Sequence, residues 1–544
     1  MLRTKRFWRP TTDKVDNRYE IECTRVAVTV RLSHLSEAEA RQSSACCMFS
    51  SNMGVRAMPM TSSWFLRVLV LTALVGLHSS EATPLDDYVN RPDPHYSYNI
   101  IAATRGLNYT LYTVNMTSQM WKSSDVLNRP LWWHYLSITI PDTIRFDTAV
   151  LFIDGGSNDD GPPPPTDNFV ALVTMVAAST GCVTANLKQI PNQPVVFKAD
   201  PSQKQRNEDA VIAWTWKTFI ENASDPEILL RMPMTKAVVR AMDTVTDVVN
   251  ILAGKNVSKF LVAGASKRGW TTWTTASVDK RVVAIAPIVF DLLHLVKNLH
   301  HHFRAYGGWT FAFNDYYELN FTGQLDNPNT QLMADIIDPI SYNDRLTIPK
   351  LVISTGGDEF FLPDDSHYYY DNLNQPTYLR ILPNAEHSCA GHEISLFFDL
   401  RAFYLSVVTG EPLPKLSWTR QATSTGGFIR VATDRTPNTI RAYFAKTLDG
   451  LRRDFRLLVA SEDDPTKPTP HPVVWHYTPV KALGNNTYLA EFDNPEEGWL
   501  AFFIQMTFKG VADAVLEFTT EAQIIPDTFP FPDCVGPTCL GTLV

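Results

Sequence analysis

Several large protein classes are excluded by what the sequence lacks. Cysteine is scarce, seven in 544 residues, and three of these (Cys23, Cys46, Cys47) fall within the first fifty positions. A scaffold built on disulfides is therefore excluded. The apolar segment 64–77 is broken by Arg67 and keeps only ten uninterrupted residues, short of the ~20 a bilayer-spanning helix needs. No phosphate-cradling glycine loop, zinc-ligand pair or internal repeat stands out, so neither cofactor nor metal is expected. Basic residues are outnumbered 48 to 57, and ten of the 48 precede residue 60 against six acidic ones there. The rest of the chain is thus more acidic than the overall −9, which opposes binding to nucleic acid or anionic lipid.

The remaining composition, 44% apolar and 19% charged, is that of a folded globular protein, and the length exceeds one ordinary core. Small residues follow segment 64–77, and Ser80-Glu81-Ala82 fits a signal-peptidase site. Residues 60–82 therefore read as a secretory signal cut after Ala82, with a signal anchor as the alternative. Residues 1–59 are polar, basic and without a packing pattern; Met53, Met58 or Met60 would be a better start. They read as a doubtful leader or gene-model extension, the alternative being a cytoplasmic tail. Beyond the signal four cysteines remain. Cys534 and Cys539 could close a local loop, which favours Cys182 with Cys389 among three possible pairings. Asn108, Asn115, Asn222, Asn256, Asn320 and Asn485 each head an N-x-S/T triplet and are candidate glycan acceptors. A secreted, disulfide-bearing glycoprotein with no membrane span after cleavage is expected.

The stretch 261–273 (LVAGASKRGWTTW) organises the rest. A short apolar run passes a Gly-Ala-Ser turn and continues as residues a helix can hold, the strand–turn–helix setting of a nucleophilic serine. The second glycine comes one place later than in G-x-S-x-G, with Arg268 where a small residue is usual. Strand-like runs at 131–140 and 148–153 precede it, the latter running into Asp154-Gly155-Gly156; a glycine there suits close backbone approach to a substrate. Helical spacing marks 169–179, 206–222 and 234–253, with a strand at 181–186 between the first two. Further strands follow at 282–290, 350–354 and 377–382. The alternation predicts a mostly parallel sheet with helices on both faces, an α/β-hydrolase-like domain over 83–415. Residues 291–344 form an aromatic-rich excursion expected to cap the site. Its three adjacent histidines, His300 to His302, cannot share a helix face and are expected to be a partly exposed cluster.

Three reactive side chains each follow an apolar strand, in the order Ser266, Asp358, His387. Glu359 is the near rival for the acid and His392 the second choice for the base. A serine hydroxyl needs a neighbouring base, and the base an acid to fix its tautomer. Ser266 is thus read as nucleophile, His387 as base, and Asp358 as orienting carboxylate. The backbone N–H groups of Lys267 and of Gly156 or its neighbour are read as oxyanion donors. The Lys267 and Arg268 side chains are expected to sit in ion pairs.

Residues 264–273 also resemble the signature of the PhoPQ-activated pathogenicity-related protein family, which includes autocrine proliferation repressor-type secreted proteins. Further matches are 189–194 (QIPNQP), 206–209 (RNED), 232–236 (MPMTK), 306–309 (YGGW) and 383–387 (PNAEH), and the resemblance spans roughly 85–525. It implies an α/β-hydrolase fold in which the late glycine and Arg268 are family features. It also implies a poorly defined substrate, and relatives that act as extracellular signals.

From 416 to 525 the pattern changes to seven short strand-like runs split by Gly, Pro, Asn and Asp turns, predicting a small β-sandwich. Nothing in it looks catalytic, so packing or recognition of a protein partner is expected. A Pro-rich tail with two cysteines, 526–544, ends the chain. The expected function is a secreted serine hydrolase acting on an ester or peptide bond of unknown substrate. The alternative is a secreted signalling or binding protein that keeps the fold without needing catalysis.

Overall fold

The computed structural model describes residues 82–464 and 466–544. The leader, its three cysteines and all of the signal segment except Ala82 lie outside the described residues.

In chain order the first region contains α1 (Pro84–Asn90), β1 (Ser97–Gly106), β2 (Tyr109–Met120), β3 (Leu131–Pro141), β4 (Thr148–Ile153), α2 (Asn168–Thr180), β5 (Thr184–Leu187), α3 (Glu208–Glu221), α4 (Arg231–Ala253), β6 (Lys259–Ala265), α5 (Lys267–Val278) and β7 (Val282–Ile288). After an excursion through α6 (Leu295–Tyr306), α7 (Asn314–Glu318) and α8 (Pro328–Ile337) come β8 (Lys350–Thr355), β9 (Thr377–Leu382) and α9 (Glu393–Thr409). Strands β5, β4, β6, β7, β8 and β9 lie side by side and parallel. Strands β1 to β3 extend one edge antiparallel.

The parallel strands are buried along their length, β4 and β9 at every position, because helices cover both faces. Successive side chains of β6 point opposite ways. Val262 joins the core under α4 with Val238 and Val245, whereas Leu261 and Ala263 join that under α2 and α9 with Val173 and Leu400. Glycines in the left-handed conformation end α2 at Gly181 and α4 at Gly254, a common helix stop.

The C-terminal region contributes β10 (Leu416–Ala422), β11 (Gly426–Thr433), β12 (Thr439–Lys446), β13 (Leu458–Ala460), β14 (Pro468–Pro470), β15 (His476–Thr478), β16 (Lys481–Gly484), β17 (Thr487–Asp493), β18 (Leu500–Lys509), β19 (Val515–Thr519) and β20 (Gln523–Ile525). Strands β10, β11, β17 and β16 form one antiparallel sheet. Strands β19, β18, β12 and β15 form the facing one. Ile429 and Val431 pack in the same core as Ala442, Phe502 and Ile504, so the expected sandwich is present. It is fused to the first region, because β19 pairs with β9 at Thr519 and Leu379 and one fourteen-stranded sheet runs through both.

Two expectations are corrected. Cys534 and Cys539 are bonded, but Cys182 and Cys389 are free and buried. Cys182 precedes β5 and Cys389 follows β9, and these strands are parallel, so the two thiols lie at opposite ends of the sheet, far beyond disulfide reach. The histidine run is also only partly as expected: His300 is half-buried between Asp326 and Asp533, whereas His301 and His302 are buried. His301 pairs with Asp364, and His302 stacks on Trp309. Among the sequon asparagines, Asn115 is half-buried and the other five are exposed. No helix among the described residues is long and apolar enough to cross a membrane.

Candidate active site

Strand β6 ends in a turn that puts Ser266 between strand and helix, at φ 58° and ψ −126°. A non-glycine residue there carries strain of roughly 1–3 kcal/mol, held in place because the Ser266 N–H donates to the Ile288 carbonyl at 2.8 Å. Gly264 is required by close approach: a Cβ there would stand 2.8 Å from the Arg268 carbonyl oxygen. The late glycine has its own reason, since a Cβ on Gly269 would stand 2.9 Å from the Ile288 oxygen of β7.

Arg268 folds back from the helix. Its Nε donates to the Ile190 carbonyl at 2.6 Å and its Nη2 pairs with Glu208 at 2.5 Å. Lys267 Nζ lies 2.9 Å from both Glu208 and Asp209. Both cations are therefore in ion pairs, as expected. Burial opposes the charge on Glu208, yet Arg268 and Lys267 hold its carboxyl well below the usual range.

The other two side chains arrive on neighbouring loops. Asp358 follows β8; its Oδ1 accepts the N–H groups of Phe360 at 2.7 Å and Phe361 at 3.2 Å. His387 follows β9. Its Nδ1 lies 2.9 Å from both Asp358 oxygens, and its Nε2 lies 2.8 Å from Ser266 Oγ. An ionised carboxylate can only accept, so Nδ1 carries the proton and the neutral ring presents a lone pair at Nε2 to the serine. Glu359 is placed differently: its Oε2 accepts the backbone N–H of His387 at 3.0 Å. Burial and the neighbouring Asp358 push the Glu359 carboxyl up to about 7. Burial alone would push the His387 pKa down, but Asp358 and then Glu359 outweigh it and hold it above the ordinary value. His392 heads α9, and it is His387 that faces Ser266.

Lys267 is the first residue of α5, where a backbone N–H has no partner within the helix. Gly156 follows β4, whose Ile153 pairs with Gly264 of β6, so its loop begins beside the serine turn. The N–H of Gly155 is tied to Asp154 Oδ1 at 2.7 Å. The N–H groups of Lys267 and Gly156 have no acceptor among the described residues.

A cavity of about 30 Å³ adjoins Ser266, walled by Trp216, Trp270, Phe290, Phe313 and Tyr316 among others. Phe313 and Tyr316 belong to the excursion between β7 and β8, which thus comes down onto the serine. Tyr316 Oη donates to Asp209 Oδ1 at 2.8 Å.

Support for the acid and base loops comes from a region in which the sequence showed no chemistry. Trp475 Nε1 donates to the Gly356 carbonyl at 3.0 Å, and the Leu457 N–H donates to the Gly357 carbonyl at 2.9 Å. The Trp475 N–H donates to Asn384 Oδ1 at 2.7 Å, and Asn384 Nδ2 returns a bond to the Trp475 carbonyl at 3.0 Å. A Cβ on Gly356 would stand 2.6 Å from the Trp475 ring, so that glycine is needed for close approach. The glycine pair before Asp358 and the asparagine before His387 were the available signals. Their partners lie about ninety residues or more away and left no local trace.

A mostly parallel sheet covered by helices, with a serine turn, an acid loop and a histidine loop at its strand ends in that order, is an α/β-hydrolase fold. The chain belongs to the PhoPQ-activated pathogenicity-related protein family, whose profile matches residues 85–456. It is 37% identical over 481 residues to autocrine proliferation repressor protein A of Dictyostelium discoideum, covering 86% of this chain and 95% of that protein. Among solved structures it is similar to an acetyl xylan esterase from Paenibacillus, at 15% identity and a TM-score of 0.41, covering 58% of this chain and 91% of the esterase. Acetyl xylan esterase 1 from Thermoanaerobacterium matches at 15% identity and a TM-score of 0.40, covering 61% and 97%.

Proposed function

We propose that the protein is a secreted serine hydrolase transferring the acyl group of an ester or peptide bond to water. The single observation carrying this reading is the unbroken line of contacts from Ser266 Oγ through the His387 ring to Asp358. Ser266 Oγ attacks the carbonyl carbon while His387 Nε2 takes its proton, and Asp358 holds the ring and stabilises its charged form. The oxyanion falls to the N–H groups of Lys267 and Gly156, each such donor typically worth about 3–4 kcal/mol of barrier. His387 then protonates the leaving group. Water, deprotonated by the same ring, releases the acid. Export is inferred from the signal-like segment, and the accessible sequon asparagines are consistent with glycan attachment in a secretory lumen.

A second reading is favoured by one finding, the name of the Dictyostelium relative: an extracellular signal that keeps the fold and acts through its surface, with the C-terminal sandwich meeting a protein partner. Labelling of the purified protein with a fluorophosphonate probe separates the two. The hydrolase reading expects covalent labelling that disappears in Ser266→Ala. Equal labelling of both proteins, or none of either, would leave the signalling reading.

A further inference from the structure

We propose that the cavity beside Ser266 is the acyl pocket of the hydrolase proposed above, on which the inference rests, and that it selects esters of the shortest acyl groups, acetyl above all.

Position decides which half of the substrate the cavity takes. It is walled by Ser266 and Lys267, and toward the imidazole by Phe360 and Phe361, which pack on the His387 ring at 4.5 and 5.7 Å and keep that ring itself out of the lining. The leaving alkoxide must reach His387 Nε2 to collect the proton taken from Ser266, so it belongs on the imidazole side. The acyl carbon bonds to Oγ next to the Lys267 N–H, and whatever it carries continues into the cavity.

Size and rigidity decide how much fits. The space open to the centre of a water molecule is only about 30 Å³, a small cavity in which a group of acetyl size is accommodated more readily than a long acyl chain. The walls are braced. Trp270 Nε1 donates to the Ile337 carbonyl at 2.6 Å, its ring stacks on Phe290 at 4.8 Å, and the Arg231 guanidinium covers it at 4.3 Å. Trp216 stands against Trp270 at 5.8 Å and Tyr316 at 5.1 Å. Packed interiors resist insertion of extra methylenes.

Polarity decides what kind of acyl group enters. The carboxylate on the wall, Asp209, already accepts from Tyr316 Oη and pairs with Lys267 Nζ. An aminoacyl group would have to break that set to place its ammonium, so an unsubstituted acyl chain is the better match. In the reaction Ser266 Oγ adds to the carbonyl carbon as His387 takes its proton. The oxyanion collapses with cleavage of the ester C–O bond while His387 gives that proton to the alkoxide, and water then releases acetate from Ser266.

The test is kcat/KM of the whole chain on p-nitrophenyl acetate, butyrate and octanoate, in the native protein, Ser266→Ala and Ile212→Ala. Ile212 lines the cavity. A single methylene in an apolar pocket is commonly worth on the order of ten- to two-hundredfold. Acetate is expected to exceed butyrate by at least about tenfold, with octanoate lower still, and Ile212→Ala to narrow the acetate-to-butyrate ratio. Butyrate or octanoate turned over as well as acetate in a Ser266-dependent manner would overturn the pocket assignment and leave the hydrolase standing. Hydrolysis unchanged in Ser266→Ala would overturn both. The native series decides the matter even if Ile212→Ala does not fold.

Discussion

Ser266 and His387 approach to 2.8 Å, yet different parts of the chain hold them. The serine is secured within the parallel half of the sheet: its N–H on β7, its helix packed against Ile288, its flanking cations paired with Glu208 and Asp209 of α3. The Asp358 and His387 loops are held from outside, by Trp475 and Leu457 of the C-terminal region. Parallel strands end in loops at one rim, which is where such folds gather chemistry. Here that rim alone supports the serine. The acid and base loops bond each other there, through the Gly356 and Gly357 N–H groups and the Leu382 and Ala385 carbonyls, and lean in addition on the C-terminal region. The two regions meet in one sheet, because β9, which delivers His387, is also the strand that β19 joins, at Thr519 and Leu379.

Asp358→Asn should produce the largest change separating the two supports. The amide can donate where the carboxylate only accepts, so the ring turns to the wrong tautomer, and ester hydrolysis should fall on the order of 10⁴-fold. Glu359→Gln, whose native group meets only the backbone of His387, should lose far less in the same assay. Comparable losses in both would show that the carboxylates share the task and that the sharp distinction between them is mistaken. Trp475→Phe comes next. It keeps most of the ring but removes the donor to Gly356, and kcat/KM should drop about ten- to a hundredfold, the scale on which misplacement of a reacting group by about 1 Å is felt. Circular dichroism and the melting temperature should show an intact fold. Full activity in Trp475→Phe would mean that the acid loop holds itself and that the outside support is incidental.

What the sequence disclosed follows the same division. The serine turn was legible because strand, glycine, serine and helix lie within thirteen residues, and Asp358 and His387 because each closes an apolar strand. Strand β1 left no mark in that reading, as most of its residues are exposed and polar or small. The role of Trp475 was hidden because its indole reaches a carbonyl 119 positions away, and no local pattern encodes such a contact. Counting cysteines paired Cys182 with Cys389 by parity alone, whereas strand direction keeps them apart. His301 and His302 were expected to be partly exposed because adjacent positions cannot share a helix face, but Asp364 and the Trp309 ring give them buried partners.

The smallest predicted effect bears on how the two carboxylates share the imidazole. As general base of the proposed hydrolase His387 must be neutral, so kcat/KM should fall as pH drops through its pKa. Burial would place that limb below the ordinary histidine value, but Asp358, followed by Glu359, lifts it above. Removing the Glu359 charge takes away one of the groups favouring the imidazolium. In Glu359→Gln the acidic limb should therefore move to lower pH with the plateau little changed, so that the variant outperforms the native protein at pH values on the limb and equals it above. The measurement is kcat/KM for p-nitrophenyl acetate from pH 5 to 9 in both proteins. A limb that stays in place would mean that Glu359 is protonated across the whole range and acts only as an acceptor for the His387 backbone; a limb that rises would contradict the sign of the electrostatics.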